Sequence, residues 1–304
     1  MRPTLRQLQY IVAVADTGRF HEAAKRLHVS QPSLSAQIAE VEKQLGVQLI
    51  ERGRNGALMT PLGIEFVRRA RLILRDVEDL KSAMHVGDED FAGRIRLGVL
   101  PSVGPYLLPP AVTDLHRSYP NLRLVIQEHL ADDLDRLIKE GALDCAISNP
   151  DTHKELASTL LFEEPLWICT APDDPLAGDG AIHLDALQGR ELLSVGQSYR
   201  LNSTIQQLAE LAEARMSDVF SGTSLDAIRH MSATGAGIAI LPAIYALAEA
   251  RRDADLVLRP IDHPLARRAV SLVWRPTSPL EPSFLKIAEI LQQDAAAILQ
   301  ENTA

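Results

Sequence analysis

The sequence predicts a chain of two unlike parts, an all-α head on a long linker helix and then a two-lobed α/β body, and three observations predict it. Apolar residues recur at helical spacing through residues 1–60 and then, at heptad spacing, as far as Met84. Beyond a short polar break, apolar runs of strand length alternate with helical stretches, the pattern of α/β units around a mostly parallel sheet. Charge divides along the same line: residues 1–60 hold 8 Lys/Arg and 5 Asp/Glu, a net +3, so of the overall −9 the rest of the chain carries −12. A basic head is hidden behind an acidic average, and the negative total does not exclude a nucleic-acid partner.

With 304 residues, 46% apolar and 23% charged, the chain has the composition of a soluble globular protein of two or more domains, which excludes a disordered or collagenous one. Two cysteines make no disulfide framework, and without a charged-then-apolar leader a reducing, cytoplasmic location is expected. The 18 residues from Met231 to Ala248 carry no formal charge, at the lower edge of a membrane span. Gly235, Gly237 and Pro242 divide them, so a helix end, a buried strand Ile238–Leu241 and a second helix are expected there instead.

In the head, Leu5, Leu8, Ile11, Val12 and Ala15 form the apolar stripe of a first helix that Thr17-Gly18 closes. A second runs from about Phe20 to Leu27, with Ala23, Ala24 and Leu27 inward; Ala24 is small enough to let two helices cross closely. His28-Val29-Ser30 makes a tight turn, and Ser30 stands as N-cap ahead of Gln31-Pro32 in the first turn of a third helix. Leu34, Ile38, Val41 and Leu45 bury that helix. Its other face presents Gln31, Pro32, Ser33, Ser35 and Gln37, short amides and hydroxyls suited to base edges in a DNA major groove, where Gln pairs with adenine and Pro32 touches a thymine methyl. This is a helix-turn-helix with a polar recognition face.

Residues 47–60 then read as two short strands around Arg54-Asn55-Gly56, a wing whose Arg52 and Arg54 reach a minor groove or phosphates. Lys25, Arg26 and Lys43 are expected to contact the DNA backbone, which positions the head without specifying sequence. Pro61 opens a long helix in which Phe66, Ala70, Ile73, Val77, Leu80 and Met84 keep heptad spacing, with charged residues on the other faces. Such a stripe predicts a coiled-coil dimer seam, and two heads on a two-fold axis predict an inverted-repeat operator in double-stranded DNA. The expected divisions are 1–60 for the winged head, 61–86 for the linker helix and 87–93 for a hinge.

In the body, strands are expected at Ile95–Leu100, Leu122–Ile126 and Leu143–Ser148, with helices from near Gly104 and over residues 132–140. A second series at Leu166–Cys169, Leu192–Val195, Val219–Ser221 and Ile238–Leu241 builds another half; the chain returns with Val270–Arg275 and a last helix from about Pro282. This gives one lobe from 94–161 and 267–304 and another from 162–266, with a cleft between. Ligands in open α/β sheets sit beyond the carboxyl ends of strands, at helix N-termini. Ser102, Thr223 and Ser224 as helix caps, Ser148 at a strand end and Arg200 in the loop after Val195 are therefore the expected contacts of a small anionic or hydroxylated effector.

The run "LRQLQYIVAVADTGRFHEAAKRLHVSQPSLSAQIAEVEKQLGVQLIER" with "MTPLGIEF" resembles the winged helix-turn-helix head and linker helix of LysR-type transcriptional regulators. The resemblance spans essentially the whole chain. It implies a bacterial regulator with a two-part, periplasmic-binding-protein-like effector domain, assembled as a homotetramer (a dimer of dimers) and touching RNA polymerase. Within the family, "GPYLLPP", "LDCAIS", "FEEPL", "GTSLDAIRHMSATGAGIAILPA" and "LVWRPTSPL" resemble the OxyR-like, peroxide-sensing subgroup. That subgroup carries a reactive and a resolving cysteine just before "GTSL", where this sequence has none; Arg200 falls at the reactive position. Cys145 and Cys169 lie in apolar strand runs, where a thiol usually serves as a small buried hydrophobe; the sharper reading makes one of them a redox sensor. Arg200 in place of the thiol also suggests a small carboxylate or other anion as effector.

Enzyme chemistry finds little support. There is no G-x-S-x-G, H-E-x-x-H or P-loop, and "GAGIAI" from Gly235 lacks the third glycine of a dinucleotide fingerprint. Nine histidines are scattered without ligand spacing, so neither metal nor cofactor is expected. A periplasmic solute-binding protein would share the cleft but lack the basic head.

Overall fold

The structure, a computed structural model, describes residues 3–53, 56–83, 93–196, 200–222, 224–250 and 257–300. Arg54, Met84, Thr223 and the expected hinge apart from Gly93 lie outside these residues, as do the side chains of Arg52 and Arg200. The chain forms two compact units, one of residues 1–86 with the short segment 139–142, the other of 87–138 and 143–304.

The first unit holds α1 (Leu5–Thr17), α2 (Phe20–Arg26), α3 (Gln31–Leu45), the antiparallel hairpin β1 (Ile50–Gly53) and β2 (Gly56–Met59), and α4 (Pro61–Ala83). Thr4 and Gln7 close α1 with a reciprocal capping box, and Gly18 ends it in the left-handed conformation at φ 66°. Ile11, Val14, Leu34, Ile38 and Val41 are fully buried together, and at about 1.5–3 kcal/mol each this shared burial holds the three helices.

The second unit follows with β3 (Gly93–Val99), α5 (Gly104–Ser118), β4 (Leu122–Glu128), α6 (Ala131–Lys139), β5 (Cys145–Ser148), β6 (Ala157–Thr170), β7 (Ile182–His183), β8 (Glu191–Val195), α7 (Arg200–Leu211), β9 (Arg215–Gly222), α8 (Leu225–Ala233), β10 (Ile238–Pro242), α9 (Ala243–Ala250), β11 (Val257–Asp262), β12 (Arg267–Trp274) and α10 (Glu281–Gln300). Strand order runs β4-β3-β5-β12-β6-β10-β8-β9, with β11 also on β6. Parallel ladders join β3 to β4 and β5, and β8 to β9 and β10. The sheet is nonetheless mixed where a mostly parallel one was expected, because β6 and β12 run antiparallel to their neighbours as they cross between lobes. The strand expected at Leu166–Cys169 is the second half of β6; its first half alternates exposed and buried residues and gives no continuous apolar run to read.

Two cores flank the crossing strands. Leu97, Leu107, Ile147, Leu272 and Phe284 belong to one, and Leu166, Leu193, Ile205, Leu208 and Ile240 to the other. Tyr106 on α5 meets Tyr245 on α9 edge to face, ring centroids 5.5 Å apart, where the lobes touch. The uncharged stretch from Met231 resolves as the end of α8, β10 and α9; among the described residues no helix is long and apolar enough to cross a membrane.

Candidate nucleic-acid interface and effector cleft

The recognition helix is set by local chemistry. Val29 N–H donates back to the Ala24 carbonyl, His28 takes a left-handed φ of 54°, and the turn delivers Ser30, whose hydroxyl accepts the Ser33 N–H at 3.3 Å. With Leu34, Ile38 and Val41 buried, Gln31, Pro32, Ser33 and Gln37 are exposed and Ser35 is half-buried. Gln37 is oriented from α1: its Oε1 accepts from Gln7 Nε2 at 3.1 Å, and Gln7 is itself held by the Thr4 capping box. Sequence reasoning missed Gln7, although Thr4-x-x-Gln7 is the pattern that signals such a box.

Lys25, Arg26 and Lys43 are exposed. Arg26 lies 3.4 Å from Asp16, which also accepts from Arg71 of α4 at 2.6 Å. Exposed pairs of this kind contribute at most about 1 kcal/mol, so Arg26 can exchange Asp16 for a phosphate. The wing is fixed to the recognition helix by Glu42, whose carboxylate accepts the Leu49 and Ile50 N–H groups at 2.8 and 3.0 Å. Gly63 lets α4 pass close beneath the wing: a Cβ there would stand 2.0 Å from the Leu49 carbonyl oxygen.

The heptad stripe of α4 divides in two, which corrects the reading of a single seam. Ala70 is buried and Phe66 packs on the head core, whereas Ile73 and Leu80 are 47% and 59% exposed and Val77 is half-buried. Leu62 adds to the exposed apolar surface. Heptad spacing records that a face is apolar without recording what covers it. Nearby, Arg68 and Arg69 hydrogen-bond Glu65 and hold its carboxyl down at about 2.

In the second unit a cavity of about 230 Å³ opens between the lobes. Asn149 and Asp151 line it from the end of β5, Leu201, Ser203 and Thr204 from the first turns of α7, and Arg267, Arg268 and Ala269 from β12. Arg200 is the first residue of α7, not part of a loop, so its neighbours in that turn face the cavity. Ser102 does not cap α5, whose N-cap is Val103; its hydroxyl accepts from Arg268 Nη1 at 2.9 Å instead. Ser148 is fully buried, its hydroxyl 2.8 Å from His153 Nε2, and His153 Nδ1 lies 3.2 Å from Asp135; it does not line the cavity. Ser224 caps α8 by accepting the Ala227 N–H. In each case the hydroxyl satisfies a nearby protein group, which sequence position alone does not reveal.

The cleft depends on residues the sequence reading passed over. Arg268 Nε donates to Glu164 Oε1 at 2.6 Å, and Glu164 Oε2 accepts the Ile244 N–H at the start of α9, also at 2.6 Å. The available signal was a charge inside an apolar strand run, Glu164 in "FEEPL" and Arg268 before "AVSLVW". Cys145 and Cys169 are both fully buried, one in each lobe's core. Among the described residues no group of His, Cys, Asp or Glu could hold a metal ion.

Residues 5–64 match the family described as "Bacterial regulatory helix-turn-helix protein, lysR family", and residues 88–296 match the "LysR substrate binding domain". The chain is 36% identical over 289 residues to the "DNA-binding transcriptional dual regulator OxyR" of Escherichia coli K12, covering 95% of this chain and 94% of the relative. It is also 36% identical over 290 residues to the "Hydrogen peroxide-inducible genes activator" of Pectobacterium carotovorum, covering 95% and 96%. Among solved structures, a full-length cysteine-to-aspartate variant of OxyR from Pseudomonas aeruginosa is similar with a TM-score of 0.77 at 28% identity, over 96% of this chain and 97% of that one. Hydrogen-peroxide-bound Corynebacterium glutamicum OxyR, a cysteine-to-serine variant, is similar with a TM-score of 0.66 at 28% identity, over 100% and 97%.

Proposed function

The chain belongs to the LysR family of bacterial DNA-binding transcriptional regulators, and we propose that it reads an inverted-repeat operator with α3 and is switched by a small molecule held between the lobes. It is a regulator and not an enzyme. The observation that carries the reading is the exposed face of Gln31, Pro32 and Ser33 on a capped helix whose opposite face is buried. Gln31, Ser33, Ser35 and Gln37 read bases, Pro32 packs on a thymine methyl, and Lys25, Arg26, Lys43, Arg52 and Arg54 contact phosphates or the minor groove. The stripe of Ile73, Val77 and Leu80 on α4 pairs with a second copy, and the heptad spacing would carry the seam on to Met84; a dimer of dimers then contacts RNA polymerase from the cytoplasmic DNA.

The relatives' names attach peroxide-inducible genes to their proteins. In this chain the switch runs through the cleft and not through a disulfide, a reading supported by two thiols that are each buried in a separate core. Ser203 and Thr204 beside Arg200 form the lobe-two wall of that site, and Ser102 contributes through Arg268. Titrating the full-length protein onto its own upstream DNA tests the reading function. Affinity is expected to fall by about 10³-fold or more between 50 and 200 mM salt. Binding that ignores salt contradicts it.

A further inference from the structure

We infer that the cleft takes a small oxyanion, a short carboxylate or an inorganic one, and that Arg268 receives it; this rests on the cleft being the effector site. Arg268 stands on β12 directly across from Glu164 on β6, its side chain 9% exposed and that of Glu164 not at all. Its Nε is taken by Glu164 and its Nη1 by Ser102. The third nitrogen, Nη2, is buried and meets no acceptor among the described residues, although Arg268 forms part of the cavity wall. A buried cationic donor without an acceptor is costly, and an anionic oxygen entering the cavity is the partner that relieves it best.

The rest of the wall favours the same chemistry. Arg267 adds a second cation, and α7 begins here, so its first turn brings the positive end of the helix dipole along with Thr204. Among the described residues Asp151 is the one carboxylate on the wall; it is exposed and so well screened by water. The volume of about 230 Å³ lies below the range of about 300–1,000 Å³ usual for drug-sized ligands, so the site suits a small anion. Binding is felt in both lobes. Glu164 also holds the first turn of α9, and Ser102 leads into α5, so an anion that draws on Arg268 changes the hold on a helix in each.

The test is thermal unfolding of the full-length protein with malonate, inorganic phosphate or the neutral malonamide, at matched ionic strength. A saturable rise in Tm with malonate or phosphate is expected, at least tenfold weaker in half-saturation for Arg268→Gln. Malonate and phosphate compared side by side distinguish an organic from an inorganic ligand. Because Arg268→Gln leaves Glu164 buried and can fail to fold, Thr204→Trp, which fills the cavity and leaves Arg268 in place, is measured alongside and is expected to abolish the rise. Anion binding that persists in Thr204→Trp is adventitious and overturns the inference, as does the absence of any saturable rise. A rise with malonamide alone that Thr204→Trp removes overturns the anion while leaving the cleft as effector site. Unaltered target-gene control by Thr204→Trp in cells removes the cleft itself.

Discussion

On the head, Gln31, Pro32 and Ser33 stand exposed on a helix whose buried face does all the packing; between the lobes, the largely buried Arg268 hydrogen-bonds both Glu164 and Ser102, which are themselves buried. The first arrangement separates the exposed residues proposed to read DNA from those that stabilise the fold. The second joins them, since the guanidinium that faces the cavity also links β12 to β6 and to the approach to α5. Substitutions on the reading face should therefore change binding and spare the fold, whereas substitutions in the cleft network should change both.

The largest effect is expected where the two roles coincide. Glu164→Ala leaves Arg268 buried without its carboxylate and the Ile244 N–H without an acceptor, and should destabilise the effector unit by about 3–5 kcal/mol in denaturant unfolding. In the head the comparable loss comes from a packing residue: Gly63→Ala drives a Cβ into the Leu49 carbonyl and should cost about 1–3 kcal/mol while loosening the wing. Gln31→Ala should leave the unfolding midpoint nearly unchanged yet weaken operator binding by about 1–3 kcal/mol and relax preference at one base pair, measured on a set of single-base operator variants. A large loss of stability in Gln31→Ala would show instead that the reading face also supports the fold. Arg26→Ala should reduce affinity evenly across sequences and lower the salt slope by about one.

Asp294 on α10 gives the smallest effect and a sign to check. Burial, and then the negative charge of Asp114, push its carboxyl above the usual range. The folded protein then holds the proton more readily than the unfolded chain, so stability is intact below the unfolded value and falls as pH rises through the folded one. Asp294→Asn is expected to raise the unfolding temperature slightly at neutral pH and to change nothing in acid, by thermal scans at both.

What the sequence made legible follows the same division. Ser30 as N-cap, the Gly18 stop and the Leu34, Ile38, Val41 stripe are short-range signals, and the helix-turn-helix could be read from them residue by residue. The lobes were legible as alternating strands and helices. The cleft between them was legible too, but not its inner wall, because Ser102, Glu164 and Arg268 meet only through the register of two crossing strands, Arg268 opposite Glu164, which no local pattern encodes. Ser102 looked like a cap for want of that information, and Phe66 and Ala70 looked like dimer seam because one apolar stripe serves both the head core and an exposed face.

In the proposed mechanism this regulator answers to a ligand in the cleft and not to oxidation of Cys145 or Cys169. Footprinting of the full-length protein on its upstream DNA before and after hydrogen peroxide, with wild type beside the double variant Cys145→Ser, Cys169→Ser, measures it most directly. The same protected region and affinity are expected in all four conditions. A peroxide-dependent change in the wild type that the double variant loses would instead make one of the two thiols the sensor.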